Sequence, residues 1–424
     1  MSGKISLDLT KNSFDPFRIG GLLDIDILGT NLNTVFFTVL FYLLSIFLII
    51  KMSKYNVIDL KRSLYIFSLH TIISTFFIVA LMTLIVNDID SYFQIGLIFP
   101  NDGFEEFFPF TTWGILTIAQ IYRAFFYYLN LDFLSINIFF GCIGSFILIF
   151  YDKLLLNNID IKNSKKNIYS LIFLFLVFFP SLSVWSGFLG KEVVTLLILI
   201  FAAFIIIKIE KKSQVVLYLI PLISLLAIIR PHFAFFFILS FSIYLILKLV
   251  KNNFSRICII LFFFILSLYI GQIIIGGSIE QDIFGLLDSF FEAGATQRRY
   301  SAGEVRYYAE WGNAHISKNI FVLYFSFLFS PIVNFETARN IALSAENTVL
   351  ALIMMALIFN TDFKKLYRND ESKFFLLFFV ISTFVMSLFT YQIGIYWRQK
   401  WLFLPYFFIG MSLIQKTKYF DAKK

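Results

Sequence analysis

Asp88 and Asp90 stand in the stretch NDIDSYFQ, directly behind the apolar run IISTFFIVALMTLIV, with Tyr92 just after. Two carboxylates at the mouth of a lipid-suited segment either end a helix as solvated acids or move protons at a membrane surface. A second acidic stretch, NDGFEEFF, carries Asp102, Glu105 and Glu106. Cations follow in separate places. Lys191 and Glu192 lie in PSLSVWSGFLGKEVV behind Trp185, and Arg230 and His232 lie in AIIRPHFAFF. Arg298, Arg299, Arg306 and His315 lie in TQRRYSAGEVRYYAEWGNAH, Glu346 in ALSAENTVL, and Arg398 and Lys400 in YQIGIYWRQKW. Arginine suits phosphate because its planar fork makes two charge-assisted bonds.

Each of these residues also has a plain structural reading. Glu192 suits the positive end of a helix while Lys191 snorkels beside it. Arg230 suits the interface, but the short turn RPH leaves little room for water, which favours a buried partner or an anionic ligand. Arginine runs are mostly solvated, so one or two phosphate contacts from Arg298, Arg299 and Arg306 suffice. His232 and His315 lack metal spacing. Glu346 fits a helix's first turn, and the loop Tyr and Trp residues fit interface anchors.

The elements that must position these groups are membrane spans. Of the 424 residues, 59% are hydrophobic, 20% aromatic and 15% charged, far from soluble-domain usage. The 58 phenylalanines read as lipid-facing filler interchangeable with Ile and Leu, and the Phe, Ile, Lys and Asn bias resembles an AT-rich bacterial genome. Cys142 and Cys258 both sit in apolar runs, which argues against a disulfide framework or a cysteine zinc site. The N-terminus lacks the layout of a signal peptide.

A span needs about 20 apolar residues. The pattern predicts an all-α, polytopic integral membrane protein with about 11 transmembrane helices plus outer interfacial helices. The spans fall near 33–52, 64–86, 131–152, 168–186, 190–208, 214–229, 232–250, 256–276, 343–361, 373–393 and 401–416. Residues 1–32 form an extracytoplasmic tail, 33–416 a single transmembrane domain with outer loops 87–130 and 277–342, and 417–424 a cytoplasmic tail. Lys and Arg crowd every second connection, so those connections face the cytoplasm, the N-terminus lies outside and the C-terminus inside. The net charge of +8 therefore reflects membrane loops and not nucleic acid.

This register makes 107–129, interrupted by Pro109, Gln120 and Arg123, a helix at the outer interface. Segment 319–334, ending at Pro331, lies flat or re-enters. Lys191, Arg230, Arg298, Arg299, Arg306, Arg398 and Lys400 then sit on the outer side, against the positive-inside bias. Cations held there beside acids point to a shared outer cavity for something anionic. No Walker loop, GxSxG, HExxH or Rossmann fingerprint occurs in a usable context, which argues against an ATP-driven machine or a serine-triad hydrolase.

With NDIDSYFQ in an early outer loop, the chain resembles the GT-C superfamily of polytopic glycosyltransferases. It is similar to bacterial O-antigen and capsule polysaccharide polymerases in FFPSLSVWSGFLGKE, IIRP, FSPIVNFETARNIALSAEN and YQIGIYWRQKWLFLP, over roughly 60–415. The resemblance implies a GT-C-like fold in the bacterial inner membrane, with a polyprenyl-phosphate-linked or diphosphate-linked sugar as donor. Asp88 or Asp90 would be the catalytic base, and its acids are separated by one residue, not adjacent. Lys191, Arg230, Arg298, Arg299, Arg306 and Arg398 would hold the donor phosphate. Tyr92, Glu105, Glu106, Arg123, Trp185, Glu192, His232 and Glu346 would support them. One base and one displacement imply inversion at the anomeric carbon. A divalent metal remains an option, and polysaccharide-assembly proteins are candidate partners alongside membrane lipid. The competing reading is a transporter or flippase of lipid-linked glycans. It would need charges spread along the spans, whereas here they collect at outer ends.

Overall fold

The computed structural model describes residues 32–84, 113–157, 176–177, 179–209, 212–249, 252, 254, 320–329, 338–366, 369–389 and 393–414. Most of these residues are α-helical, with no β-strand among them. The helices are α1 (Leu32–Lys54), α2 (Leu60–Leu84), α3 (Trp113–Leu129), α4 (Phe133–Asn157), α5 (Pro180–Ser186), α6 (Lys191–Lys208) and α7 (Lys212–Ile229). They continue as α8 (Pro231–Leu249), α9 (Ile320–Phe329), α10 (Ala338–Phe359), α11 (Phe363–Leu366), α12 (Asp370–Phe389) and α13 (Ile393–Leu413).

Local chemistry sets many of the helix starts. Asp59, Asp132 and Asn369 accept hydrogen bonds from the main-chain N–H groups of Arg62, Ser135 and Ser372, at 2.8, 2.7 and 2.7 Å. An Asx side chain there satisfies an N–H that has no partner within the helix. Pro180 and Pro231 open α5 and α8, where a missing N–H costs nothing.

Among the described residues, four helical stretches are long and apolar enough to cross a membrane: 35–54, 133–155, 231–248 and 341–359. The pair α5 and α6, bent by 92°, makes a fifth if it is one span. The outward faces are greasy. Val35, Phe36, Val39, Leu43 and Phe47 of α1 are exposed, as are Leu217 and Ile220 of α7. Such faces require an apolar medium or partner.

Of the expected 168–186 span, residues 176–177 and 179–186 are described; α5 covers Pro180–Ser186, and the chain breaks at Gly187–Gly190 before α6. Helix α3 covers most of the expected interfacial segment and packs on α4, α6 and α7, with Ile118, Ala119 and Tyr122 buried. Helix α9 packs on α10, α12 and α13 with Phe327 and Leu328 buried. The expected 256–276 span, the expected terminal tails and most of the expected outer loops 87–130 and 277–342 lie outside the described residues.

The phenylalanines are not all filler. Phe233, Phe237, Phe327, Phe374, Phe375 and Phe378 are fully buried between helices. Phe233 stacks on Phe403 at 4.8 Å, and Phe378 packs on Tyr406 at 4.6 Å. Ring pairs of this kind add to area burial and favour one helix register.

At the end of the bundle carrying the α2 start and the α4 C-terminus, Arg62 pairs with Asp152 at 2.5 Å. Lys248 bridges α8 to Asp370 at 2.6 Å, and that hydrogen bond lowers the Asp370 carboxyl below its usual range.

Candidate functional site

The chain break between α5 and α6 brings polar groups together. Gly187 caps α5 and Gly190 precedes α6, so the chain turns through 92° and delivers Lys191 and Glu192 in the first turn of α6. Glu192 is buried, as is Arg230, which stands between α7 and α8. Arg230 Nη2 donates to Glu192 Oε1. Arg398 of α13 forms an ion pair with the same oxygen at 3.2 Å. One carboxylate oxygen is thus shared by two guanidinium groups from separate elements.

Aromatic rings back both arginines. The Arg230 guanidinium lies 5.4 Å from the Phe233 ring, and that of Arg398 lies 5.4 Å from the Trp185 ring. The Trp185 indole N–H is buried with no hydrogen-bond partner among the described residues. Helix α3 closes the site from the side, and Gly114 makes that approach feasible. A Cβ there would fall 2.2 Å from the Ile229 carbonyl oxygen and 3.3 Å from the Lys191 Cε.

A second buried pair adjoins the first through α13. Lys400 lies 3.7 Å from Glu346 and donates to the side-chain oxygen of Asn347. Glu346 also accepts from the Ser181 hydroxyl and, at 3.4 Å, from the Ser181 N–H. That N–H belongs to the first turn of α5, where a negative charge is favoured. Trp401 donates to Ser181 and completes the cluster. Below it, a cavity of about 20 Å³ is lined by Leu182, Leu196, Trp401 and Tyr406. That is space for roughly one water, and its apolar walls give such a water nothing to bond.

Of the residues singled out above, Trp185, Lys191, Glu192, Arg230, Glu346 and Arg398 fall at this end of the bundle. The Arg123 guanidinium lies 5.6 Å from the Tyr127 ring. His232 contributes ring contacts with Phe233 and Phe236 at 5.0 and 6.1 Å. Asp88, Asp90, Tyr92, Glu105, Glu106, Arg298, Arg299 and Arg306 lie outside the described residues. Among the described residues no three His, Cys, Asp or Glu side chains gather as metal ligands, so the metal option rests on those acidic loops.

No family model, curated protein or solved structure matches the chain.

Sequence reasoning did not anticipate Ser181, Asn347 and Trp401, nor a second set that holds the bend. Asn137 of α4 accepts from the Leu189 N–H at 3.0 Å and from the Tyr122 hydroxyl at 2.8 Å. Tyr122 also contacts the Leu189 carbonyl at 3.0 Å. A lone amide in the apolar run FLSINIFF is the signal that marks such a residue, since buried polar groups must be paired. Asn137→Leu strips the Leu189 N–H of its acceptor. The expected loss is about 1–3 kcal/mol, read as a lower melting temperature in detergent. An unchanged melting temperature would show that the bend does not depend on this clamp.

Proposed function

We propose that the chain is a glycosyltransferase or polysaccharide polymerase of the bacterial inner membrane, GT-C-like, with about 11 spans. Its N-terminus lies outside and its C-terminus in the cytoplasm. It transfers a sugar from a polyprenyl-phosphate or polyprenyl-diphosphate donor at the extracytoplasmic face, during surface-polysaccharide synthesis. The observation that carries this reading is the convergence of Arg230 and Arg398 on one buried oxygen of Glu192.

Two guanidinium charges against one carboxylate leave the trio cationic, and Lys191 adds to it. Negative charge grows on a phosphate leaving group as the glycosidic bond breaks. The donor's phosphate is already anionic and gains a further charge on leaving, so fixed cations in a water-poor site stabilise the transition state more than the ground state. The buried Trp185 N–H supplies a further donor for a ligand oxygen. Asp88 or Asp90 removes the proton from the acceptor hydroxyl, and the single displacement inverts the anomeric carbon.

The test uses purified protein in sealed vesicles given a lipid-linked oligosaccharide in the outward leaflet. Growth of the glycan with release of polyprenyl diphosphate is the expected outcome. Movement of intact donor across the bilayer without glycan growth would replace the enzyme with a flippase.

A further inference from the structure

His70 is a buried titratable group that the proposed chemistry leaves unused. It is fully buried on α2, and each ring nitrogen meets a serine. Nδ1 lies 2.8 Å from Ser145 Oγ on α4, and Nε2 lies 2.8 Å from Ser186 Oγ at the end of α5. Each serine hydroxyl also reaches a carbonyl one helical turn back. Ser145 reaches Gly141 O at 3.1 Å, and Ser186 reaches Leu182 O at 2.6 Å.

Counting protons decides how these groups share their bonds. There are four contacts: carbonyl to Ser145, Ser145 to His70, His70 to Ser186, and Ser186 to carbonyl. Two hydroxyls and a neutral imidazole supply one proton each, which fills all but one contact. An imidazolium would fill every contact, but none of its partners among the described residues is a carboxylate, and a buried charge without a counter-ion is strongly disfavoured. The contact that yields is the longer carbonyl contact, Ser145 to Gly141.

We infer that His70 is a neutral imidazole carrying its proton on Nε2, and that it is a positioning residue. It orients Ser186, and through Ser186 the bend that sets Glu192 between Arg230 and Arg398. The chain of donors runs one way. The Ser145 hydroxyl donates to Nδ1, Nε2–H donates to Ser186, and the Ser186 hydroxyl donates to the Leu182 carbonyl. Bonds aligned in series strengthen one another.

Backbone contact around the ring gives this bond its leverage. A Cβ on Gly144 would fall 1.8 Å from the Ser186 carbonyl oxygen and 3.1 Å from His70 Cε1. A Cβ on Gly187 would fall 2.3 Å from Ser74 Cβ. Small residues let α4 and the end of α5 bring their backbones together against the side chains of Ser74 and His70 on α2, and the close packing cannot absorb a displaced Ser186. Asn137 and Tyr122 hold Leu189 on the far side, so the bend is pinned on both flanks.

The direction of the hydrogen bonds stands without the functional reading; the consequence for transfer rests on it. The chain has three histidines, so the nitrogen resonances lost in His70→Gln identify His70. In protein labelled with nitrogen-15, a protonated Nε2 and a bare Nδ1 are expected, unchanged between about pH 6 and 8. Gln places its amide nitrogen where histidine has Nε2, whereas Asn places it where histidine has Nδ1. His70→Gln should therefore keep the Ser186 bond, with a melting temperature and transfer rate near wild type. His70→Asn and His70→Leu should melt lower and lose about tenfold in transfer rate, the scale of one buried hydrogen bond. A proton on Nδ1, an imidazolium, or a Leu variant matching the Gln variant overturns the inference. If wild type transfers no sugar, the functional reading fails, while the tautomer and the order of melting temperatures still decide the role of His70.

Discussion

Glu192→Gln is expected to destabilise the protein by about 3–5 kcal/mol, the usual cost of breaking a buried ion pair from one side. The substitution keeps the volume and removes the charge. Arg230, whose side chain is only 5% exposed, then faces Arg398 across a neutral amide. Like charges repel strongly in a poorly hydrated site. The melting temperature in detergent should fall, and with it the yield of folded protein in membranes. A second variant separates charge from packing. Glu192→Gln combined with Arg230→Met removes one cation together with the anion, and should recover part of the loss because a well-packed apolar side chain needs no counter-ion. If the single variant melts like wild type, the cluster is hydrated and its burial carries no energetic weight. If the double variant melts lower than the single one, the Arg230 stem and its ring contact with Phe233 dominate over charge.

Asp88→Asn and Asp90→Asn, made separately, should differ sharply from each other. Loss of a general base costs about 10²–10⁴-fold in rate, whereas loss of a solvated acid at a helix end costs almost nothing. One variant should therefore abolish long polymer on a gel ladder while lipid-linked units persist on the outer leaflet. The other should resemble wild type. Asparagine is nearly isosteric with aspartate, so a large effect reports lost basicity and not a lost shape. Two silent variants remove the base from this loop altogether. Units trapped on the inner leaflet would instead identify a defect in translocation. Mapping residues 87–110 to the cytoplasm by tag accessibility would end the enzyme reading in its present form.

Parts of the site were legible in sequence because backbone chemistry marks them. Arg230 before Pro231 and Lys191–Glu192 after Gly190 sit at chain breaks, and breaks are written in Pro and Gly. Helix starts near charges were less legible. A hydropathy window places Arg398 and Lys400 in a turn before the last span, yet α13 begins at Ile393 and carries both inside the helix. An expected span at 343–361 puts Glu346 in its first turn, yet α10 begins at Ala338. Hydropathy ends a span where charge begins. A helix continues through charge wherever neighbours supply counter-ions, as Glu192 and Glu346 do here. His70 escaped because one imidazole barely alters the hydropathy of an apolar run, although any polar group in such a run needs partners.

By itself the sequence determined the all-helical class, the apolar character of the long helices and the cations that stand at breaks between apolar runs. Those properties follow from composition and local periodicity, which each segment carries without reference to the others. Only the tertiary structure decided that Arg230 and Arg398 share one Glu192 oxygen, that Lys400 belongs to Glu346, and that His70 braces the bend between α5 and α6. These pairings join groups far apart in the chain. Buried charges and polar groups accept whatever partner the packing brings within reach, and packing is a property of the whole bundle.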